Sequence, residues 1–367
     1  MKITHVISDG NVGGAGILLS SLAEGLKDDF EIEIIIPEGS ALKKRLPEGV
    51  SITELPVASD KSFSVRGTEI FRDYFKRKGT DILHTHASLS ARLGGKMAGI
   101  PHCISTRHCA HPGASVRKMM PHKRFLYDIS TDLTVSTADF ATDNLVRSGV
   151  RRERIVTIKN GSPDLSKRSY DEGFSLYDAL TIPRERRIIG SVARLEAVKG
   201  QDLILRSARE VLKFFPDTHF VFIGSGSLEN EYRSLSARLG VDKNVSFTGY
   251  VENPDAYQRD FYINVNASRG TETSSLATSE CMSLSIPSVV SSFGGNREMI
   301  KHGVNGMIFN TDNVFSLTSA LLDLLEDEEL YRRLSLGARR SYEESFSLSR
   351  MTKEYKKLYH SLSALYL

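Results

Sequence analysis

Residues 187–226 read RIIGSVARLEAVKGQDLILRSAREVLKFFPDTHFVFIGSG, and this stretch decides the fold. Arg187–Ala193 is a predicted strand leading into a basic loop, Asp202–Phe215 is a predicted helix, and His219–Gly224 is a predicted strand ending in glycine. Strands that alternate with helices indicate a parallel, doubly wound sheet. The stretch therefore predicts one strand–helix–strand unit of an α/β fold.

The same alternation runs through both halves of the chain. The further predicted elements are, in the first half, strands Ile3–Ser8, Glu31–Ile36, Ile82–His86, Cys103–Thr106 and Leu133–Ser136 with a helix at Ile17–Lys27, and, in the second half, strands Val245–Phe247, Tyr262–Asn266 and Ser288–Ser291 with a helix at Glu229–Leu239. Two successive patterns predict two Rossmann-like, doubly wound domains facing across a cleft, with ligands at the carboxyl ends of the strands.

A domain boundary is predicted within Gly161–Pro183, where glycine, proline, serine and mixed charges interrupt the periodicity. We predict an N-terminal Rossmann-like domain over residues 1–165 and a C-terminal one over residues 166–345. Residues 346–367 lie in a charged helical region and are expected to form a C-terminal helix that packs back on the N-terminal domain.

The composition is that of an ordinary globular protein of 367 residues with a net charge of +3. So small a charge does not indicate a nucleic-acid partner. The cysteines Cys103, Cys109 and Cys281 are too few, and odd in number, for a disulfide framework, and favour a reducing cytoplasm. The N-terminus enters a strand directly, and no stretch approaches the ~20 apolar residues of a transmembrane helix. We therefore expect a cytoplasmic protein whose membrane contact, if any, is peripheral.

Two glutamates stand out in the stretch TETSSLATSE, residues 271–280. Thr273–Ser275 are typical helix-capping residues, so Glu272 is predicted in the loop before a helix and Glu280 about two turns into it. At ~5.4 Å per turn the carboxylates would lie roughly 10 Å apart, a spacing suited to holding two parts of one extended ligand. Free N–H groups at the helix start would suit a phosphate. Spacing alone favours the simpler alternative of two surface carboxylates on an ordinary helix.

A basic pair follows the first strand of the second half. Arg194 and Lys199 lie five residues apart in the loop after Arg187–Ala193. An arginine fork and a lysine point charge can together hold a diphosphate there. Solvated surface charge is the alternative.

Glycine-rich turns also follow predicted strands. Gly13 and Gly14 could let the backbone approach a phosphate or a sugar, although an ordinary strand-to-helix turn explains them equally well. Neither Gly14–Gly16 nor Gly224–Gly226 completes the dinucleotide-binding pattern G-x-G-x-x-G, and no Walker A sequence is present.

Histidines occur at the ends of two predicted strands. His84 and His86 lie at the end of one strand, and His108 follows another. A single histidine at such a place is more often structural, and one of His84 and His86 is expected to be a packing residue. The histidines and cysteines of residues 102–111 offer zinc ligands, but their spacing fits no standard structural zinc pair, so no metal site is predicted.

Residues 107–126 form a basic stretch that carries methionine and phenylalanine side chains. One interpretation is a peripheral contact with an anionic membrane or a lipid diphosphate acceptor. The other is a solvated loop and helix, since Pro121 interrupts any single amphipathic helix there.

The ordered set of motifs resembles the retaining GT-B glycosyltransferases of family 4, the glycosyl transferases group 1. The resemblance extends over nearly the whole chain and rests first on Glu-x7-Glu, followed by proline and then by Gly-Gly-x-x-Glu. The other matching segments are Gly13-Gly14-Ala15, His84-x-His86, His108, Asn160-Gly161, Gly190–Leu195, Lys199-Gly200 and Gly224-Ser225-Gly226.

The resemblance implies that the N-terminal domain receives a glycan or lipid-linked acceptor and that the C-terminal domain binds a nucleotide-sugar. A UDP-sugar is the expected donor, with no cofactor, in bacterial cell-surface polysaccharide synthesis and with a place at the inner face of the membrane left open. The implied catalytic residues are His108, Glu272, Arg194 and Lys199. The implied donor-binding residues are Gly13, Gly14, Arg194, Lys199, Gly224, Gly226, Glu272, Thr273, Ser274, Ser275, Leu276 and Glu280. Glu272 would hold the transferred sugar, Glu280 the ribose, and the basic pair the diphosphate.

The chain departs from the family pattern in three segments, and these departures put the donor-sugar preference in question. Thr273–Ser275 follow the first glutamate where glycine and an apolar residue are common. Ser285 replaces the glycine before the x-Pro element, and Gly16 stands where glutamate is frequent. Two other functions stay open: a sugar-nucleotide epimerase of the same architecture, which needs no acceptor, and a non-catalytic nucleotide-sugar-binding protein.

Overall fold

A computed structural model describes residues 1–10, 13–57, 62–108, 118–170 and 173–364. The chain divides into two compact units. The first unit contains Met1–Ser162 together with Leu348–Leu367, and the second contains Pro163–Ser347. The chain therefore leaves the first unit once and returns to it with its C-terminal helix.

The first unit is built on a parallel sheet that has seven strands in the described residues. Its strands are β1 (Lys2–Ile7), β2 (Glu31–Pro37), β3 (Ser51–Leu55), β4 (Ile82–His86), β5 (His102–Arg107), β6 (Leu133–Ser136) and β7 (Ile155–Thr157), in the spatial order β3-β2-β1-β4-β5-β6-β7. Its helices are α1 (Gly14–Leu26), α2 (Val65–Lys78), α3 (Leu89–Met97), α4 (Pro121–Ser130) and α5 (Asp139–Ser148), with α14 (Leu348–Ser363) at the C-terminus.

The C-terminal helix α14 closes one face of the first sheet. Its Tyr355 and Tyr359 are fully buried, and the Tyr359 ring meets Phe30 edge-on at 5.8 Å. A Cβ on Gly25 of α1 would lie 2.3 Å from Cγ2 of Thr352, so glycine lets the two helices approach closely. Helix α14 is thus part of the core of the first unit.

The second unit repeats the design with six strands in the residues that the structure describes. Its strands are β8 (Arg187–Val192), β9 (Thr218–Ile223), β10 (Val245–Phe247), β11 (Ile263–Asn266), β12 (Ser288–Ser291) and β13 (Gly306–Phe309), in the spatial order β10-β9-β8-β11-β12-β13. Its helices are α6 (Leu176–Ala179), α7 (Gln201–Val211), α8 (Glu229–Leu239), α9 (Pro254–Gln258), α10 (Leu276–Ser283), α11 (Asn296–Met299), α12 (Val314–Glu326) and α13 (Glu328–Ser341). Both units therefore contain a doubly wound Rossmann-like sheet, which confirms the predicted fold class.

Burial explains why the strands are apolar almost throughout rather than alternating. A parallel sheet is covered by helices on both faces, so both sets of side chains enter a core. In β9, for example, Phe220, Val221 and Phe222 are all buried, and Phe220 packs in the cluster that contains Leu205 of α7 and Leu321 of α12.

Several predicted bounds are wrong by a few residues, and three strands are absent from the sequence-based prediction. Helix α7 ends at Val211 instead of Phe215, although Phe215 N still donates to Val211 O at 2.9 Å. Pro216 follows and disfavours the helical conformation at the residue before it. The strands that were not predicted are β3, β7 and β13, and each lies at an end of its sheet.

Candidate active site

The loops that follow β8 and β9 lie backbone against backbone. Leu195 N donates to Ser225 O at 3.0 Å. A Cβ on Gly224 would lie 2.3 Å from Ala193 O, and one on Gly226 would lie 2.3 Å from Leu195 O. Gly224 also has a φ of +131°. Both glycines, which the resemblance assigns to donor binding, are therefore required by the packing that fixes the basic loop.

Arg194 and Lys199 occupy different environments in that loop. Arg194 is exposed, its carbonyl accepts a bond of 2.9 Å from Gln201 Nε2, and its guanidinium has no hydrogen-bond or ion-pair partner among the described residues. Lys199 Nζ lies 2.9 Å from Glu272 Oε2 and 3.5 Å from Ser268 Oγ. One of the two cations is thus anchored and the other is open to a ligand.

Glu272 is the centre of a small polar network at the carboxyl end of the sheet. Its Oε2 accepts from Ser268 Oγ at 2.9 Å and from Asn266 Nδ2 at 3.5 Å, in addition to Lys199 Nζ. The Glu272 side chain is only 9% exposed and that of Lys199 is 19% exposed. Asn266 ends β11, which pairs directly with β8. The ion pair therefore lies where open α/β sheets bind their ligands.

The backbone that carries Glu272 is held by a glycine pair. Gly295 N donates to Glu272 O at 3.2 Å, and a Cβ on Gly295 would lie 1.7 Å from Thr273 O. Gly294 has a φ of +56°, in the region that favours glycine. The Gly-Gly element thus sets the position of the first motif glutamate through its main chain.

Helix α10 begins later than the sequence suggests. Ser275 is the N-cap, and its Oγ accepts from Thr278 N at 3.2 Å. Thr273 and Ser274 precede the cap, so Glu280 is the fifth residue of the helix, little more than one turn from its start. The predicted position two turns into the helix is wrong because the helix starts at Leu276.

Burial changes the chemistry of Glu280. It raises the pKa of the carboxyl group to about 7, and a hydrogen bond from Gln258 opposes the rise only in part. Gln258 Nε2 also donates to Ala277 O at 3.3 Å. A carboxylate in this place is poorly solvated and would gain from new hydrogen-bond donors.

Gly13 and Gly14 are less constrained than the glycines of the second unit. Gly13 is the N-cap of α1, and its carbonyl accepts from Ile17 N at 3.1 Å. A Cβ on Gly14 would meet no atom of the described residues within 4 Å, whereas one on Gly16 would lie 2.9 Å from Cδ1 of Leu42. A side chain at Gly16 would therefore have to displace the Leu42 side chain, whereas the described packing around Gly14 leaves room for a Cβ.

The first unit carries a layer of buried imidazole rings. His5 of β1 lies opposite His84 of β4 in the parallel register, and His84 and His86 share one face of the strand. Ring centroids are 5.0 Å apart for His5 and His84 and 4.8 Å apart for His84 and His86. His84 bonds through Nδ1 to Tyr359 OH at 2.7 Å and through Nε2 to Thr106 Oγ1 at 2.6 Å. His84 is thus a packing residue that ties β4 to β5 and α14.

His86 and His108 meet at the carboxyl end of the same sheet. His86 Nδ1 lies 2.7 Å from His108 Nε2, and the rings stack at 5.0 Å. Burial lowers the pKa of His108 to about 4 and that of His5 to about 3, and it holds the pKa values of His84 and His86 well below their usual range. The rings are therefore neutral at physiological pH.

A cluster with the composition of a metal site occurs once among the described residues. Nitrogen atoms of His5, His84 and His86 lie within 4.8 Å of one another. His5 Nδ1 and His86 Nε2 already lie 3.2 Å apart, within hydrogen-bonding distance of each other. Both nitrogens of His84 are already bonded to hydroxyl groups. The arrangement fits a hydrogen-bonded layer better than a metal centre.

Part of the basic stretch 107–126 lies outside the described residues, including Cys109 and all of 109–117. Pro121 is the first residue of α4, as its fixed φ allows, so the helix starts at this proline. Cations of α4, α5 and the segments that flank these helices surround a groove of about 410 Å³. Its basic residues are Lys118, Arg124, Arg147, Arg151 and Arg152. The neighbouring Phe125 and Ile129 of α4 are 63% and 48% exposed.

Within the described part of the chain no helix is long and apolar enough to cross a membrane.

Cys103 and Cys281 are free and buried, and burial raises the pKa of the Cys103 thiol to about 12. Neither thiol is poised to react, because the nucleophile would be the thiolate.

Four polar residues of these sites escaped the sequence analysis: His5, Gln258, Asn266 and Ser268. Two of them carried a signal. His5 is a polar residue inside an apolar strand, and Asn266 closes a predicted strand at the edge where ligands bind. Gln258 and Ser268 could be assigned only with knowledge of the tertiary contacts.

Comparison with known proteins places the whole chain in one family. Residues 12–163 match the family model described as Glycosyltransferase Family 4, and residues 176–341 match the one described as Glycosyl transferases group 1. The chain belongs to the GT-B glycosyltransferases of this family, as the motifs predicted, and it is an enzyme of that class.

Relatives of known name agree with this assignment. The chain is 23% identical to the N-acetyl-alpha-D-glucosaminyl L-malate synthase of Bacillus anthracis, over 96% of this chain and 95% of the relative. It is 22% identical to the UDP-Gal:alpha-D-GlcNAc-diphosphoundecaprenol alpha-1,3-galactosyltransferase of Escherichia coli, over 90% and 89%. The crystal structure of Anabaena Alr3699/HepE in complex with UDP has the same fold, with a TM-score of 0.83 at 18% identity over 98% of this chain and 100% of that one.

Proposed function

We propose that this glycosyltransferase moves a sugar from a UDP-sugar to a glycan or lipid-linked acceptor, with retention of anomeric configuration and without a metal cofactor. The observation that carries the proposal is the Lys199–Glu272 ion pair of 2.9 Å at the carboxyl end of the second sheet. The named relatives include a galactosyltransferase whose name gives a UDP-sugar and a diphosphoundecaprenol-linked sugar, and one solved neighbour contains UDP.

The diphosphate would be bound by the basic loop. The exposed Arg194 offers a planar fork to its oxygens, and Lys199 offers a point charge. Both cations would stabilise the negative charge that develops on the departing UDP, which is commonly the largest catalytic term. Lys199 would keep contact with Glu272, so that the diphosphate and the transferred sugar are positioned together.

The two glutamates would hold the two ends of the donor. Glu272 would accept hydrogen bonds from hydroxyls of the transferred sugar, and Glu280 would accept those of the ribose. Two ribose hydroxyls would supply the donors that the buried Glu280 carboxylate lacks. Donor binding should therefore favour the ionised form of Glu280.

The first unit would contribute the acceptor side and His108. In the proposal His108 faces the transferred sugar and uses a ring nitrogen in hydrogen bonding, because burial keeps the ring neutral. Retention would follow if the acceptor attacks the face from which UDP departs. No protein nucleophile is then needed.

The basic groove of the first unit supports a peripheral contact with an anionic lipid surface. Cations beside exposed apolar side chains are the combination that binds such surfaces. Phe125→Ser should lower co-sedimentation with phosphatidylglycerol vesicles relative to phosphatidylcholine vesicles. Phe214→Ser, at a residue of the second unit that is 69% exposed, is the matched control. Equal loss in both variants, or equal binding to both vesicles, would refute the contact.

Donor screening followed by turnover tests the proposal as a whole. A UDP-sugar that binds should raise the unfolding temperature through mass action, whereas other nucleotide-sugars should not. Incubation of that donor with lipid-linked and free glycans, with and without EDTA, should then give an α-linked product from an α-linked donor in both cases. Conversion of the sugar without an acceptor would identify an epimerase, binding without turnover a non-catalytic protein, and loss of activity in EDTA a metal-dependent enzyme.

A further inference from the structure

Three imidazole rings of the first unit form one hydrogen-bonded chain. His5 Nδ1 lies 3.2 Å from His86 Nε2, and His86 Nδ1 lies 2.7 Å from His108 Nε2. The rings also stack, with centroids 5.5 Å apart for the first pair and 5.0 Å apart for the second. The chain runs from the interior of β1, through the last residue of β4, to the residue that follows β5. It therefore connects the core of the sheet with its ligand-binding edge.

A neutral imidazole has one N–H donor and one lone-pair acceptor. His86 uses one nitrogen toward each neighbour, so it must donate to one ring and accept from the other. Only two arrangements of the protons along the chain satisfy both bonds. In each of them the protonated nitrogen of His86 determines the protonated nitrogen of His108.

The buried His5 end of the hydrogen-bonded histidine chain selects between the two arrangements of protons. His5 Nε2 is buried and has no hydrogen-bond partner among the residues that the structure describes. If His86 donated to His5 Nδ1, the His5 proton would sit on Nε2 and leave an N–H buried without an acceptor. In the opposite arrangement His5 Nδ1–H donates to His86, and only a lone pair is left without a partner. A buried N–H without an acceptor is the rarer condition in folded proteins.

We propose that His86 and His5 are positioning residues that hold His108 in the tautomer with its proton on Nδ1. His86 Nδ1–H donates to His108 Nε2, and His108 then presents Nδ1–H as a donor. An oxygen acceptor, such as a sugar hydroxyl of the donor, is the complement of that group. The functional part of this inference rests on the proposed role of His108, whereas the tautomer does not.

The neighbouring His84 provides a matched control. It is as buried as His86, and the centroids of the two rings are 4.8 Å apart. It bonds instead to Tyr359 and Thr106, and it has no hydrogen bond to the histidine chain. A merely structural role of the layer predicts similar effects of changes at His84 and His86. A positioning role predicts different ones.

The decisive measurement is the ¹⁵N NMR spectrum of histidine-labelled full-length protein without ligand, since ¹⁵N shifts separate a protonated ring nitrogen from a bare one. The wild-type protein should show His108 protonated on Nδ1, and His108→Gln assigns its signals. His86→Leu should shift His108 toward the Nε2–H form. His86→Asn should restore the Nδ1–H form, because its amide can donate from the place of Nδ1. His84→Leu should leave the tautomer unchanged.

Steady-state kinetics supply the second readout. His86→Leu should lower kcat by about tenfold, as expected for one lost hydrogen bond, with a smaller change in KM, and His86→Asn should recover most of the loss. His84→Leu should retain kcat in the fraction that folds.

An Nε2–H tautomer of His108 in the wild-type protein would overturn the inference even if every variant failed to fold. An unchanged tautomer in His86→Leu would overturn it too, as would stoichiometric binding of added Zn²⁺ that shifts the ring nitrogens of His86. Failure of the proposed function looks different: His108→Gln would then transfer sugar at the wild-type rate while the tautomer result stands.

Discussion

The two units use one strand order to build two unlike sites. His5 is the fourth residue of β1 and pairs in register with His84, and Gly190 is the fourth residue of β8 and pairs with Asn264. In the first unit this strand position is occupied by His5, whose ring packs against neighbouring imidazole rings. In the second a Cβ on Gly190 would lie 2.1 Å from the Phe261 ring, so the place belongs to the apolar core.

Because of this difference, the first unit presents neutral hydrogen-bonding groups at its site and the second unit presents charged groups. The first unit extends a neutral hydrogen-bonded chain from inside the sheet to its edge. In the second unit the charges of Lys199, Glu272 and Arg194 lie on the loops that follow the strands, with Lys199 paired to Glu272 and Arg194 open. A neutral donor suits a sugar hydroxyl, whereas fixed cations suit a diphosphate. The same topology thus serves two ligand chemistries because the two units carry different side chains within their strands and at the strand ends.

Removal of the anchored cation should break the charged site most severely. Lys199→Ala should lower kcat about 10²–10³-fold, the usual cost of deleting one group that stabilises developing charge. Lys213→Ala, which removes an exposed lysine paired with Glu210 in the same unit, should change kcat by less than about twofold. Transfer rates with saturating donor check both, and full activity of Lys199→Ala would disprove the assignment.

The glycines of the two units should respond differently to alanine. Gly295→Ala should destabilise the protein by about 1–3 kcal/mol, because the new Cβ overlaps Thr273 O and the loop must move. Gly14→Ala should be neutral or stabilise by up to about 1 kcal/mol, since the site is open and alanine favours the helix. Urea unfolding measures both, and equal values for the two variants would contradict the different roles of these glycines.

Glu280 should link donor affinity and stability to pH. Its pKa of about 7 lies above that of the unfolded chain, so the stability it contributes is complete below about pH 4.5 and is lost as pH rises through 7. Glu280→Gln should therefore raise the free energy of unfolding by about 1–3 kcal/mol at pH 8.5 but little at pH 4.5.

The same substitution should weaken donor binding about tenfold at pH 8, where the wild-type carboxylate is ionised. Wild-type affinity should rise with pH between 6 and 8. Calorimetric titration across this range checks both statements. An affinity that falls with pH would exclude the ribose contact of Glu280.

The smallest effect concerns a departure from the family. Ser285 has a φ of +61°, in the region where a residue other than glycine costs roughly 1–2 kcal/mol. Ser285→Gly should stabilise the protein by about 0.5–1 kcal/mol after the entropy of glycine in the unfolded chain is subtracted. Thermal unfolding should show a higher midpoint, and a lower midpoint would mean that the serine side chain stabilises this turn.

The sequence predicted the fold wherever strands lie inside a sheet. Ile82–His86 and Ser288–Ser291 have the predicted bounds, and every side chain in them is buried because helices cover both faces of the sheet. The missed Ser51–Leu55 and Ile155–Thr157 are edge strands whose side chains are mostly half-buried, so their composition resembles that of loops. The sequence pattern of a strand reflects how deeply the strand is buried, and these two edge strands are less buried than the strands inside the sheet.

The candidate site was less accessible to sequence reasoning. The contact between Lys199 and Glu272 joins residues 73 positions apart, and only the family resemblance brought them together. The chain from His5 to His108 spans three strands whose order no local pattern reveals. The assigned ligand roles of these residues stay predictions until they are measured.

The return of Leu348–Leu367 to the first unit has a consequence for synthesis on the ribosome. The second unit is one continuous segment, Pro163–Ser347, and can fold as soon as it emerges. The first unit cannot complete its core until α14 has been made, because the buried Tyr355 and Tyr359 of this helix cover the histidine layer. At a synthesis rate of about 5–20 residues per second, the interval between Ser162 and the end of the Leu348–Leu367 segment lasts roughly 10–40 s. The half of the enzyme that is made first is therefore the half that is completed last.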